Sequence, residues 1–423
     1  MTTLAEPQTT WDAPEADPPT NRHGELLRVL NVNNHHAGRG GYEVYFFGQN
    51  RILKENGHFL KTLEADNADV VTLGQKLSAF ATSIASKRAA TRIKDLIEEH
   101  RIDLVHLHNV LPLLSPDAIT GCRQAYDGRG VPIVMKLADY KLTCPAGQHL
   151  RDGKICTKCL GGREYWAGIH GCRENHLWST AYALRNVAAR RRRIFHDGVT
   201  LFLPNTRFVL EHFVAAGFDR GQMHLLPNFT DLQPPTQESL NFGQGDYACY
   251  VGRISPEKGL PTLLAAAAKT GIPTRIAGNH TNMPGLAESA PANVEFVGKL
   301  DREQLVDFYR RAKFMIVPSE WYECFGISAA EAQTYGLPVI ATDLGGLPEV
   351  VRNDESGLIY RAGDVDDLAA AMTNLWEDDA LAARLGQGAW QRAAREFRPD
   401  VFYRRLCGAY TKAIQLHERS RRA

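Results

Sequence analysis

Short apolar runs of strand length alternate with helical stretches twice along this chain, and a Pro- and Gly-rich gap separates the two series. Strands that alternate with helices bury themselves best in a parallel sheet covered on both faces. The expectation is therefore an α/β chain of two doubly wound, Rossmann-like halves. In the first series residues 27–32 lead into Gly38-Arg39-Gly40-Gly41. A helical pattern follows to Asn56, with Gly57 as its stop. Residues 104–108, 131–137 and 201–203 supply further strands, and 84–100 reads as a helix between them. Residues 231–246 contain Pro234, Pro235, Gly243 and Gly245 and read as a linker. The second series places strands at 247–251, 274–277, 294–297, 314–317 and 338–341, with helices at 261–269, 302–311 and 327–335. The expected domains are a disordered tail over 1–24, an N-terminal domain over 25–230, the linker, a C-terminal domain over 247–398 and a closing helix over 399–423. Two such halves would face a cleft, and ligands bind outside the carboxyl ends of such strands.

Charge narrows the partners. With 49 Lys and Arg against 48 Asp and Glu, the net charge of +1 gives no global attraction to nucleic acid. The first 24 residues hold Pro7, Pro14, Pro18 and Pro19 and no apolar core of the secretory kind. No apolar run approaches the ~20 residues of a membrane span. The expected location is the cytoplasm, with the inner face of the membrane as a variant of it. The eight cysteines would then be mostly reduced.

Three segments carry the chemistry. Gly252-Arg253-Ile254-Ser255-Pro256-Glu257-Lys258-Gly259 directly follows a strand, so Arg253 and Lys258 stand where phosphate oxygens can be met. Glu323 lies in the loop before Phe325-Gly326-Ile327, which opens a helix whose free amides suit an anion. Glu331 falls just over one turn inside that helix, among Ala329, Ala330 and Ala332. Two carboxylates are acceptors for two sets of sugar hydroxyls, on a hexose and a ribose. Asp343-Leu344-Gly345-Gly346-Leu347-Pro348-Glu349 adds a second Gly-rich turn.

From Leu27 to Glu418 the chain resembles the retaining GT-B glycosyltransferases of the family 4 type, most strongly over residues 247–364. The matching pieces are Val251-Gly252-Arg253, Glu257-Lys258-Gly259, Pro318-Ser319, Glu323, Phe325-Gly326, Glu331-Ala332, Gly336-Leu337-Pro338-Val339-Ile340-Ala341 and Gly345-Gly346-Leu347-Pro348-Glu349-Val350. The resemblance implies transfer of a sugar from a nucleotide diphosphate sugar to an acceptor hydroxyl, with retention and without a catalytic metal ion. It implies that Arg253 and Lys258 hold the diphosphate, that Glu323 takes the donor sugar and Glu331 the ribose. Amides at Phe325, Gly326 and Ile327 would meet sugar and phosphate oxygens. Gly40 and Gly41, with Glu43 behind them, match the family's first loop near donor phosphate and acceptor. The acceptor would be a glycan, a lipid-linked or a small-molecule hydroxyl. Many relatives carry a His before Asp139, where this chain has Ala138. That departure leaves three outcomes: an altered donor sugar, a role taken over by His108, Asp139 or Lys136, or poor transfer. Two other functions remain beside the transferase, a non-catalytic nucleotide-sugar-binding subunit and a nucleotide-sugar epimerase.

Cys144, Cys156, Cys159 and Cys172 fall within twenty-nine residues, and Asp152-Gly153 signals a hairpin turn just before the Cys156-Thr157-Lys158-Cys159 knuckle. Four clustered thiolates predict structural zinc, with an iron–sulfur cluster as the alternative. Some members of the family resembled carry a similar insertion that begins Cys-Pro. Arg190 to Arg193 is a run of four cations after a helical stretch. It reads as a solvated helix end, or as a contact with an anionic membrane surface or lipid diphosphate.

Overall fold

The computed structural model describes residues 11, 15–35, 41–66, 72–173, 175–232, 235–236, 240, 242–279 and 283–422. Two compact units emerge. One is built from Trp11–His149, Cys156–Pro227 and Asp400–Ala423, and the other is built on Asn228–Pro399 together with Leu150–Ile155.

In the first unit the strands are β1 (Arg28–His35), β2 (Phe59–Asp66), β3 (Leu104–Asn109) and β4 (Ile133–Leu137). The two-residue strands β5 (Leu150–Arg151) and β6 (Lys154–Ile155) pair only with each other and fall in the other unit, while β7 (Leu201–Pro204) completes the first. The sheet order is β2-β1-β3-β4-β7, parallel throughout. The second unit orders β8 (Tyr247–Val251), β9 (Thr274–Ala277), β10 (Val294–Gly298), β11 (Ala312–Val317), β12 (Val339–Thr342) and β13 (Gly357–Tyr360) as β10-β9-β8-β11-β12-β13, again parallel. Strand order doubles back beside β1 in one sheet and beside β8 in the other, which is the doubly wound arrangement.

The sequence reading leaves out β2 and β13. Both are edge strands. β2 carries Lys61 and Glu64 and shows no continuous apolar run. β13 begins at Gly357, where a Cβ would sit 1.9 Å from the Val339 carbonyl oxygen, so a glycine marks close strand approach rather than a break. The helix expected over 84–100 runs from Lys87 to Glu99, and a separate helix, Leu73–Ile84, precedes it. Ser86 separates them, and its hydroxyl accepts from the Ala89 amide at 3.2 Å, a side-chain cap that starts a new helix.

Two further expectations are corrected. Residues 15–24, read as disordered tail, are ordered: Ala16 N–H donates to the Arg404 carbonyl at 3.1 Å, and Glu15 pairs with Arg404 at 2.7 Å. Part of the segment read as linker is packed. A Cβ at Gly245 would lie 2.2 Å from the Lys313 amide, so glycine there permits contact with β11.

The closing helix Pro399–Arg422 belongs to the first unit, where it completes a buried polar network. His106 and His108 point to one face of β3, and their rings stack at 4.4 Å. Gln49 reaches both, at 3.1 and 3.3 Å, and the Tyr410 hydroxyl meets His106 at 3.0 Å. Burial, reinforced by Lys136, holds His106 down at about 3, so it stays neutral at ordinary pH. Lys136 is itself buried. It donates to the Leu226 carbonyl at 2.8 Å and lies 4.7 Å from the Tyr45 ring centre.

Candidate functional site

The second unit gathers three charged groups around one loop. β8 ends at Val251, and the chain turns through Arg253 into the short helix Pro256–Lys258. Gly259 then takes φ +66°, and a Cβ there would lie 1.8 Å from the Pro318 carbonyl oxygen. Only glycine lets these two loops run so close. On the other side Gly345, at φ +65°, leaves no room for a Cβ, which would fall 2.5 Å from the Glu323 carbonyl oxygen. The Gly346 amide donates to that same oxygen at 2.7 Å, and the Glu320 amide donates to the Glu257 carbonyl at 2.9 Å. The loop that carries Glu323 is thus gripped by both Gly-rich turns of the sequence motif.

The grip brings Lys258 and Glu323 together. The Lys258 ammonium donates to a Glu323 carboxylate oxygen that also accepts from the Ser319 hydroxyl at 2.8 Å. Lys258 also stands 5.2 Å from the Trp321 ring centre. Burial pushes the Glu323 carboxyl up, but the Lys258 charge and these hydrogen bonds outweigh it, and the net shift is downward. Glu323 is therefore ionised. Arg253 is more open, with 60% of its side chain exposed, and pairs with Glu257 at 2.6 Å.

Gly326 takes φ +83° and caps the helix Ile327–Thr334. Among the described residues the amides of Gly326, Ile327 and Ser328 have no hydrogen-bond partner, which leaves donors available to an anion. Phe325 is buried against Phe397, with ring centres 5.7 Å apart. Glu331 is half-buried and accepts from the Tyr309 hydroxyl at 3.2 Å. Its burial in this alanine-rich helix pushes the carboxyl up to about 7, against the pull of Tyr309 and Arg302.

The remaining expected site residues lie elsewhere. Gly40 falls outside the described residues, and Gly41 begins the helix Gly41–Glu55 of the first unit. Asp139 follows β4 in that unit and pairs with Lys141 at 2.8 Å. It shares a pocket with His108, Asn109, Ala138 and Lys141 at the carboxyl ends of β3 and β4. Of the residues considered as stand-ins for the absent His, His108 lines that pocket. Lys136 also touches it, but its ammonium is committed to the Leu226 carbonyl.

The expected metal centre finds no support in the geometry. Asp152 and Gly153 both take positive φ, 52° and 70°, and turn the β5–β6 hairpin as its sequence predicts. The cysteines nonetheless form no coordinating set: among the described residues no three or more His, Cys, Asp or Glu are placed to hold a metal ion. Cys159 packs instead with Ala167 and Ala183, with Trp166 and Cys172 against them. Burial, then the nearby Cys144, Cys172 and Cys156, push its thiol up to about 12. What ties the segment down is a group the sequence reading missed. His149 Nδ1 lies 3.0 Å from the Cys156 carbonyl oxygen, its Nε2 lies 3.0 Å from His212, and the Thr143 hydroxyl sits 2.9 Å from His149.

Residues 235–392 match the family model described as glycosyl transferases group 1. Over these residues the chain is similar to a group 1 glycosyl transferase domain. The glycogen synthase of Mycobacterium tuberculosis strain H37Rv is 35% identical to the chain over 158 residues, which cover 35% of this chain and 38% of that protein. The D-inositol 3-phosphate glycosyltransferase of Rhodococcus erythropolis is 38% identical over 170 residues, covering 34% and 38% of the two chains. The chain thus spans well under half the length of these curated relatives. The fold extends further than the sequence match. Sucrose-phosphate synthase from Thermosynechococcus elongatus aligns with a TM-score of 0.65 at 19% identity, over 94% of this chain and 98% of that one. The Anabaena protein HepE, in its complex with UDP and glucose, aligns at 0.61 with 16% identity, over 91% and 99%. With two parallel sheets of this order, the chain has the GT-B fold. Among the described residues no helix is long and apolar enough to cross a membrane.

Proposed function

We propose that the chain transfers a sugar from a nucleotide diphosphate sugar to a hydroxyl of a glycan, lipid-linked or small-molecule acceptor, with retention of anomeric configuration. One observation carries the reading: in residues 235–392 a lysine in the turn that also bears Arg253 is held on an ionised, buried glutamate, and that glutamate stands just before a helix start with free amides. Lys258 and Arg253 each rest on a carboxylate, and a diphosphate has oxygens to accept from both cations in their place. As the donor bond breaks, the two cations would offset the charge growing on the leaving phosphate, together with the amides of Phe325, Gly326 and Ile327. Glu323, freed from Lys258, would accept from donor sugar hydroxyls, and Glu331 from the ribose. Gly41 and Asp139 would serve from the first unit. The relatives named as glycosyltransferases and the HepE complex with UDP and glucose support this choice of donor.

The test is turnover with a panel of nucleotide diphosphate sugars and mixed acceptors, with the product's anomeric proton read by NMR. Transfer with the donor's configuration is the expected result. Donor bound without transfer to any acceptor would favour a binding subunit instead, and an inverted product would refute retention.

A further inference from the structure

We infer that the cysteine-rich segment docks the protein on an anionic lipid surface. The inference stands apart from the reading of the donor site. Seven large apolar side chains are exposed among the described residues, and four of them crowd into this segment: Tyr165 (53% exposed), Ile169 (58%), Leu177 (77%) and Leu184 (58%). Tyr165 and Ile169 are one turn apart on the helix Tyr165–His170. Leu177 and Leu184 are two turns apart on one face of the helix His176–Arg191. The two helices touch side to side. A Cβ at Gly168 would lie 2.7 Å from the Thr180 hydroxyl, and His176 Nδ1 donates to the Gly168 carbonyl at 3.0 Å. The inner faces are occupied by Ala167 and Ala183, both buried, so both apolar rows are left outward.

Charge selects the occupant. Residues 156–193 hold eight Lys and Arg against two acidic residues, whereas the chain as a whole is only +1. The structure divides the Arg run. Arg190 pairs with Glu164 at 2.8 Å, Arg192 with Asp117, and Arg193 with Asp197 at 2.8 Å, so these three are spent within the protein. Lys158, Arg163 and Arg191 are exposed and have no ion pair among the described residues, and Lys158 stands 5.2 Å from the Trp166 ring centre. Trp166, Trp178 and Tyr182 are half-buried around the same helices. Exposed aliphatic side chains, aromatic rings and uncommitted cations together are what a helix lying in a bilayer interface needs. A second copy of the chain would cover the apolar rows but would bring the same cations face to face.

The experiment is co-sedimentation of the full chain with vesicles of phosphatidylcholine alone or mixed with phosphatidylglycerol. Binding to the mixed vesicles only, weakened by added salt, is expected. The triple variant Ile169→Ser, Leu177→Ser, Leu184→Ser and the double variant Lys158→Glu, Arg191→Glu should each bind about tenfold more weakly or less. The charge variant alters only exposed side chains with no ion pair among the described residues, so it decides the matter even if the triple variant misfolds. Wild type left in the supernatant with anionic vesicles, or unchanged binding by the double variant, overturns the inference. So does a concentration-dependent dimer that the triple variant abolishes, seen with no vesicle binding, which would assign the face to a second copy.

Discussion

Lys258 and Glu323 form a buried ion pair that, in the proposed function, a donor diphosphate would open. Both side chains are mostly buried, so removing one partner leaves the other charge without compensation. Lys258→Ala should therefore lower stability by about 3 kcal/mol and abolish donor binding. Adding Glu323→Gln should restore much of the stability, read by urea unfolding, and none of the binding. Recovery of both would mean that Lys258 only neutralises Glu323. Glu331 sets a different test. Its folded value near 7 lies above its ordinary value of 4.5, so the folded state holds the proton more tightly. The stabilisation is full below about 4.5 and is lost as pH rises through 7. Relative to Glu331→Gln, the wild type should lose on the order of 2–3 kcal/mol between those limits. Parallel stability curves for the two proteins would contradict the buried carboxyl. The charged residues of this site were legible because each follows a strand or opens a helix in a tight motif. Their pairing was not legible, since Lys258 and Glu323 meet only after two glycine turns fold against one loop. His149 and Thr143 gave no signal either: they are near neighbours in sequence, but their partner His212 lies 63 residues beyond His149, and only packing joins them.

At the scale of elements, the glycines explain why the motif has its spacing. Gly259 and Gly271 share nearly the same backbone, φ +66° and +68°, yet a Cβ at Gly271 would meet nothing within 4 Å. Gly271→Ala should thus cost only the backbone penalty, about 1 kcal/mol. Gly259→Ala adds a collision with the Pro318 carbonyl and should cost well over ~2 kcal/mol, with donor binding lost as the Glu323 loop shifts. Equal melting temperatures for the two variants would show that loop contact does not shape the site. Central strands such as β3, β8 and β11 were readable because burial on both faces makes them continuous apolar runs. β2 and β13 were not, because β2 mixes Lys61 and Glu64 with its apolar residues and β13 opens on Gly357. The cysteine cluster was legible, but not its packing: Cys159 lies against Ala167 and Ala183, with Trp166 and Cys172 beside them.

Over the whole molecule, the alternation of strands and helices announced two parallel-sheet units, but not which unit would claim the chain's last helix. Pro399–Arg422 joins the first unit through contacts distant in sequence, Tyr410 with His106 and Tyr403 with His58 at 3.0 Å each. No local pattern encodes such a return. The strands of residues 235–392, by contrast, were legible apart from β13, because the others are short apolar runs joined by short, ordered motifs. The central claim is that this part of the chain holds a nucleotide diphosphate sugar through Lys258 and its neighbours. Calorimetric titration of wild type and the Lys258→Ala, Glu323→Gln protein with a panel of nucleotide diphosphate sugars tests it most directly. The account predicts saturable binding of at least one donor by the wild type and its loss in the double variant. Absence of binding to every donor by folded wild type, or equal affinity in both proteins, would contradict it.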